Sequence, residues 1–366
     1  MRQVTNNKAS RGHTLLKALE ITILTLLILV NIAGAEPYAY ITNTGSNTVS
    51  VIDIAINKVT STVNVGDLPC GVAINPGGKK AYVTNAGSNN LSIIDTTKNK
   101  VTSTVDVESE PFGIAINPAG TRVYVTSIVS NTVSVINTMT NTVIATVPVG
   151  SYPQAIAVSP DGTRAYVTNM VSNSISVIDT ITNTVTATVN VGNYPSEIVV
   201  NPTGTKVYVT NMMDKSVSVI DTATNTVTSI VAVGSGANGI AVNLDGTKVY
   251  VTNEYTNNVS VIDTATNKVT ATVNVGFQPI GIAVTPAGTK IYVVNSGSNS
   301  VSIIDAATNK VTARVNVGES PMALGQFIGG NIQEAKLNGF KSKASLSKHK
   351  QKNHSKHHKT GKTSKV

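Results

Sequence analysis

Tyrosine stands at positions 40, 82, 124, 166, 208, 250 and 292, a constant interval of 42 residues, and each copy opens a variant of Tyr-Val-Thr-Asn without insertion or deletion between copies. A fixed period of this size marks one supersecondary unit repeated in series, because a single unit buries too little apolar surface to stand alone. Val, Ile and Thr fill each copy and Pro, Gly and Asn punctuate it. That composition predicts four short strands per copy and excludes a helical pair, which would need Leu, Ala and Glu faces. The expected fold is all-β: a seven-bladed β-propeller of four-stranded antiparallel blades.

The copy from Pro153 to Gly192 shows the layout. Ala155 to Val158 reads as a short inner strand, and Ser159-Pro160-Asp161-Gly162 as a turn with Pro and Gly where such turns favour them. Arg164 to Asn169, Ser174 to Asp179 and Thr184 to Val191 follow as the second, third and fourth strands. We call the four A to D, with A innermost because small side chains suit a crowded central channel. Ser recurs at 50, 92, 134, 176, 218, 260 and 302, where a small residue lets blades approach. Asn recurs at 57, 99, 141, 183, 225, 267 and 309, a turn site that predicts a left-handed backbone. Asp opens that turn in every copy but the third, where Asn137 replaces it, and a residue repeated in every blade reads as a local turn bond and not as a catalyst.

The first copy begins at strand B, Tyr38 to Asn43, and after the strand D of the seventh copy the array ends on a further strand A pattern at Pro321 to Ile328. The final segment is therefore expected to complete the first blade, with Met322, Leu324 and Phe327 as the closing side chains. Burial of each contributes about 1.5 to 3 kcal/mol, against a loop-closure cost of roughly 5 kcal/mol. Closure also removes two open sheet edges.

Three segments follow: residues 1–35, 36–330 and 331–366. The first carries Arg2, Lys8, Arg11 and Lys17, then an apolar run from Ile21 to Ile32 and Ala33-Gly34-Ala35, the pattern of an export signal. An uncleaved anchor is the alternative, and no other segment reads as able to cross a membrane. The formal charge of +9 is divided unevenly: ten Lys and no acid in 336–366 and a net +3 in 1–35 leave −4 for 36–335. A basic nucleic-acid-binding face on the repeat region is thus not expected. The tail, with Lys341, Lys343, Lys348, Lys350, Lys352, Lys356 and Lys359, has the composition of a segment that attracts acidic wall polymers, glycans or headgroups. The single Cys70 excludes an internal disulfide.

Tyr-Val-Thr-Asn, followed by Ser-Asn-Thr-Val-Ser-Val-Ile-Asp and preceded by Pro-Asp-Gly-Thr-Arg or Leu-Asp-Gly-Thr-Lys, resembles the Tyr-Val-Thr-Asn family of β-propeller repeats found in surface-layer and cell-surface proteins of methanogenic archaea. The resemblance spans about 290 residues and implies an exported propeller displayed at the cell surface. Ser127 and Val294 depart from the motif in the third and seventh copies. The fold is also similar to the propellers of lactonase-like enzymes and of nitrous oxide reductase, so an extracellular enzyme using acids and a bound divalent cation is the rival expectation.

All five His lie outside the repeats, at positions 13, 349, 354, 357 and 358. A serine–histidine–acid triad or a His-ligated metal within the ring is therefore excluded. There is no Trp and no Gly-rich phosphate loop, so no catalytic residue, metal site or cofactor is expected. What varies between copies is the D–A and B–C loops. Tyr152, Met170, Tyr194, Met212, Met213, Tyr255 and Phe277 fall there and predict an apolar arc for a protein or polymer partner, unless each ring lies flat over its own blade. Asp67, Glu108, Glu110, Glu197, Asp214 and Glu254 are placed on the same face as solvated acids.

Overall fold

The structure of the protein, a computed structural model, describes residues 38–329. The expected leader, and the lysines from Lys341 to Lys359, lie outside the described residues. Twenty-eight strands, β1 to β28 in chain order, form seven four-stranded antiparallel sheets. The fourth blade is β12 (Pro153–Val158), β13 (Arg164–Asn169), β14 (Ser174–Asp179) and β15 (Thr184–Asn190). The two middle strands are buried along nearly their whole length. Each of their faces is covered by a neighbouring blade, so they are apolar on both sides. The outermost strand alternates with solvent and buries only Val189.

Strand A begins two residues earlier than the alternation suggests, at Pro153, because its register shifts between Pro153 and Ile156. The motif Thr organises this irregularity. Thr168 Oγ1 accepts the Ala155 N–H at 2.9 Å and donates to the carbonyl of Ser196 in the next blade at 2.8 Å. Thr42, Thr84, Thr126, Thr210 and Thr252 make the same inter-blade bond. Each is worth about 1 kcal/mol net. Val294 has no hydroxyl, so the seventh blade lacks this latch.

The invariant Ser has a stronger reason than space. Asn169 Nδ2 donates to Ser176 Oγ at 3.0 Å, and five other blades repeat the pair between the last motif Asn and the Ser of the facing strand. Ser127 cannot make it and bonds the Glu108 carbonyl instead. The turn readings agree with the geometry: Asn57, Asn99, Asn141, Asn183, Asn225, Asn267 and Asn309 all have φ between 50 and 56°. Asp179 Oδ1 accepts the N–H groups of Ile181 and Thr182 at 2.9 and 2.8 Å. These bonds hold its carboxyl below its ordinary value.

The ring closes through the first blade, in which β28 (Ile328–Gly329) pairs antiparallel with β1 (Tyr38–Asn43), followed by β2 (Thr48–Asp53) and β3 (Lys58–Asn64). Phe327 and Leu324 are buried, whereas Met322 is only half-buried. The closing segment does not keep the period. Aligned by 42 residues, Gln326 would face Ala39, but Ile328 does so. Two surplus residues turn into the channel, with Ala323 and Gly325 at φ of 48° and 87°. Leu324 there bridges to the second blade, where the Val72 N–H donates to its carbonyl at 2.8 Å. The terminal segment is thus tied forward to blade two, at the junction opposite the missing Val294 latch.

Candidate functional site

Because strands alternate in direction, the D–A loops and B–C turns share one face of the ring and the A–B and C–D turns share the other. On the loop face the backbone repeats. Leu68, Glu110, Tyr152, Tyr194, Gly236, Gln278 and Ser320 occupy one D–A position, and all have positive φ, between 47 and 74°. A bulky side chain there costs about 1–2 kcal/mol. An Asn from the facing B–C turn holds the backbone: the Tyr152 N–H donates to Asn131 Oδ1 at 2.8 Å and the Tyr194 N–H to Asn173 Oδ1 at 3.0 Å. Where Lys215 replaces that Asn, the strained position becomes Gly236, which adopts the conformation freely. The pair of changes is internally consistent.

The side chains at this face are not repeated. Blades one, two and seven carry Gly45, Gly87 and Gly297 in the B–C turn, where a Cβ would lie 3.1, 3.0 and 2.7 Å from D–A loop atoms. Blades three to six carry Val129, Val171, Met213 and Tyr255 instead, all more than half exposed. With Tyr152, Tyr194 and Phe277, exposed by 41, 40 and 67%, they form a run of apolar residues across neighbouring blades. The ring of Tyr255 packs against Gly236, where an added Cβ would lie 2.9 Å from its Cγ. Met170 and Met212 are half-buried beside Tyr152 and Tyr194, whose carbonyls accept their N–H groups. Val129 and Val171 were missed by sequence reading. Lining up the B–C position at 42-residue spacing exposes them.

The acids of this face are dispersed. Asn47 Nδ2 donates to Asp67, Asp214 caps the Asn193 N–H, and Glu254 Oε2 accepts from Asn238 Nδ2 at 2.9 Å. No three His, Cys, Asp or Glu side chains gather into a metal-holding group among the described residues. Asp67, Glu108, Glu110 and Asp214 are exposed, and Glu254 is half-buried.

Glu197 requires a correction. It is not a solvated acid of the loop face: it lies in the innermost strand of the fifth blade, β16 (Pro195–Val200), 8% exposed, and lines the central channel. The equivalent residues are Gly71, Gly113, Ala155, Gly239, Gly281 and Ala323. That alignment was the available signal. Burial pushes its carboxyl up to about 7, opposed by the backbone N–H groups of Ile198 and Gly325. Beside it, Ser196 Oγ bonds Asn238 Oδ1 at 2.9 Å. Cys70 is buried, its thiol bonds the Leu68 carbonyl at 3.3 Å, and burial pushes it up to about 12, so it is not a nucleophile at neutral pH.

The ring, its closure and its two unlike faces define a seven-bladed β-propeller. Residues 115–203 and 198–285 match the family described as YNCE-like beta-propeller. Among solved structures, the chain is similar to hydrazine synthase from Kuenenia stuttgartiensis, with a TM-score of 0.68 and 22% identity over 73% of this chain and 92% of that one. It is equally similar to a functionally unknown protein from Desulfotomaculum acetoxidans DSM 771, with a TM-score of 0.68 and 17% identity over 79% of this chain and 99% of that one. Identities this low carry the fold alone. No curated protein matches the chain.

Proposed function

We propose that the protein is an exported, non-catalytic propeller whose loop face docks a partner protein at the cell surface. The observation that carries this reading is the asymmetry of one face. Seven backbone positions of the loop face adopt the same left-handed geometry, yet the exposed apolar side chains of that face are concentrated on blades three to six and their junctions. Exposed aromatics grouped in this way favour protein recognition. The exposed acids around them disfavour an acidic polymer on this face. Attraction to acidic envelope polymers is assigned to the lysines from Lys341 to Lys359, by charge and composition. The rival reading of a lactonase-like enzyme needs acids converging on a cation, and the dispersed acids of the loop face do not supply them.

The test compares the full chain with a variant carrying Tyr152→Ser, Tyr194→Ser, Tyr255→Ser and Phe277→Ser, each binding to cell envelopes before and after protease treatment of the envelopes. The expected result is protease-sensitive binding by the parent that the variant loses at unchanged melting temperature. Equal binding by the two proteins overturns the docking face, and binding that survives protease treatment assigns retention to a polymer.

A further inference from the structure

The central channel encloses a cavity of about 280 Å³ lined by the later halves of the innermost strands and by the closing segment. The first of these strands to contribute is β8 (Pro111–Ile116), and the last is β24 (Pro279–Val284). Its walls are aliphatic, as at Ile156, Ala157, Ile198 and Val242. Glu197 is the one titratable side chain among the lining residues, and Gln326 is the other polar one. Gln326 is exposed and lines the cavity, which marks where the cavity meets solvent. The strand ends that line it lead into the A–B turns, so the mouth lies on the face opposite the apolar arc.

The fold does not require a carboxylate here, since six blades build the same position with Gly or Ala. Glu197 Oε2 accepts the Ile198 N–H at 3.3 Å, and the Gly325 amide also favours its ionised form. An ionised carboxylate offers about four acceptor sites, so part of its capacity faces the cavity unused. Burying an uncompensated charge costs several kcal/mol. A ligand that brings the opposite charge recovers that cost, and an anion does not. A divalent cation needs six or more oxygen ligands or an octahedral shell, and one carboxylate with one amide falls short. The volume exceeds the roughly 150 Å³ that holds a benzene ring, which leaves room for a ring and a short substituent.

We propose that the channel is a binding site for a small organic cation, a protonated amine carrying an apolar body, with Glu197 as its counter-ion and the aliphatic walls around its hydrocarbon part. The site is distinct from the docking face and stands whether or not that face binds a protein.

Calorimetry on the full chain with benzylamine and with benzyl alcohol, at about pH 8.5 where both Glu197 and the amine group carry charge, tests the proposal. The parent is expected to bind the amine at least about tenfold more tightly than the alcohol, a difference of ~1.4 kcal/mol. Glu197→Gln is expected to erase that difference. Glu197→Ala, which copies the residue at 155 and 323, does the same and covers the case in which the Gln variant fails to fold. Equal affinity for amine and alcohol, amine binding undiminished in either variant, or no amine binding by the parent at millimolar concentration would each overturn the assignment.

Discussion

The two faces of the ring share a backbone plan and differ in what is written on it. On the turn face the backbone and most side chains repeat, with Met139, Ile181 and Leu244 as exposed exceptions: Gly78, Gly120, Gly162, Gly204, Gly246 and Gly288 have φ between 67 and 73°. A Thr bonds the carbonyl of each of the first five at 2.6–2.8 Å. On the loop face the backbone repeats just as closely, but one position holds Leu, Glu, Tyr, Tyr, Gly, Gln and Ser in turn. The variation is therefore not loosened structure. Scaffold residues are those the geometry demands seven times, and residues free of that demand are where a surface can be specialised. Glu197 belongs to the second group although it lies at the centre of the first.

The sharpest way to break this division is to remove the segment that leaves the period. Deleting residues 320–329 opens the first blade along β1, and the expected outcome is loss of soluble monomer, read by size-exclusion chromatography and circular dichroism. A folded monomer would show that three strands suffice. Next in size is Glu197. Its folded value of about 7 lies above the model-peptide value of 4.5, so the stability of the neutral form is fully present below about 4.5 and is lost as pH rises through 7. The total is about 3 kcal/mol from a shift of that size. Denaturant titrations across this window should show the decline in the parent and a flat profile in Glu197→Gln; parallel curves would contradict the buried placement. Smallest is the direct comparison of a repeated and an unrepeated residue. Thr168→Val removes the partner of the Ala155 N–H and the Ser196 carbonyl and should cost about 1–3 kcal/mol. Tyr152→Ser should stay within about 0.5 kcal/mol, and equal losses would erase the distinction.

Much of the scaffold was legible because it depends on local chemistry repeated at a fixed interval. The strands of the fourth copy, the left-handed Asn and the Asp turn bonds all rest on contacts within a few residues. What escaped depends on partners far away in sequence. The Ser of strand C reads as a spacer until the Asn of strand B is seen donating to it. The motif Thr reads as a strand former until the carbonyl it holds, 28 residues on, is placed beside it. Glu197 looked like a loop acid because it follows a Pro at a loop end, and only its equivalence to Gly and Ala in sister blades reveals the channel. The surplus pair before Phe327 was invisible to an alignment that assumes equal copies.

The closure by β28 sets an order on biogenesis. Translation delivers β1 first and its inner partner more than 280 residues later, so the nascent chain carries an unfinished blade with one naked edge until nearly the whole polypeptide has been synthesised. At the rate of about 5–20 residues per second, that interval lasts tens of seconds, during which the same edge can accept the terminal segment of a second molecule. Dimers exchanged through Pro321 to Gly329 are the assembly error this circular design invites at high expression.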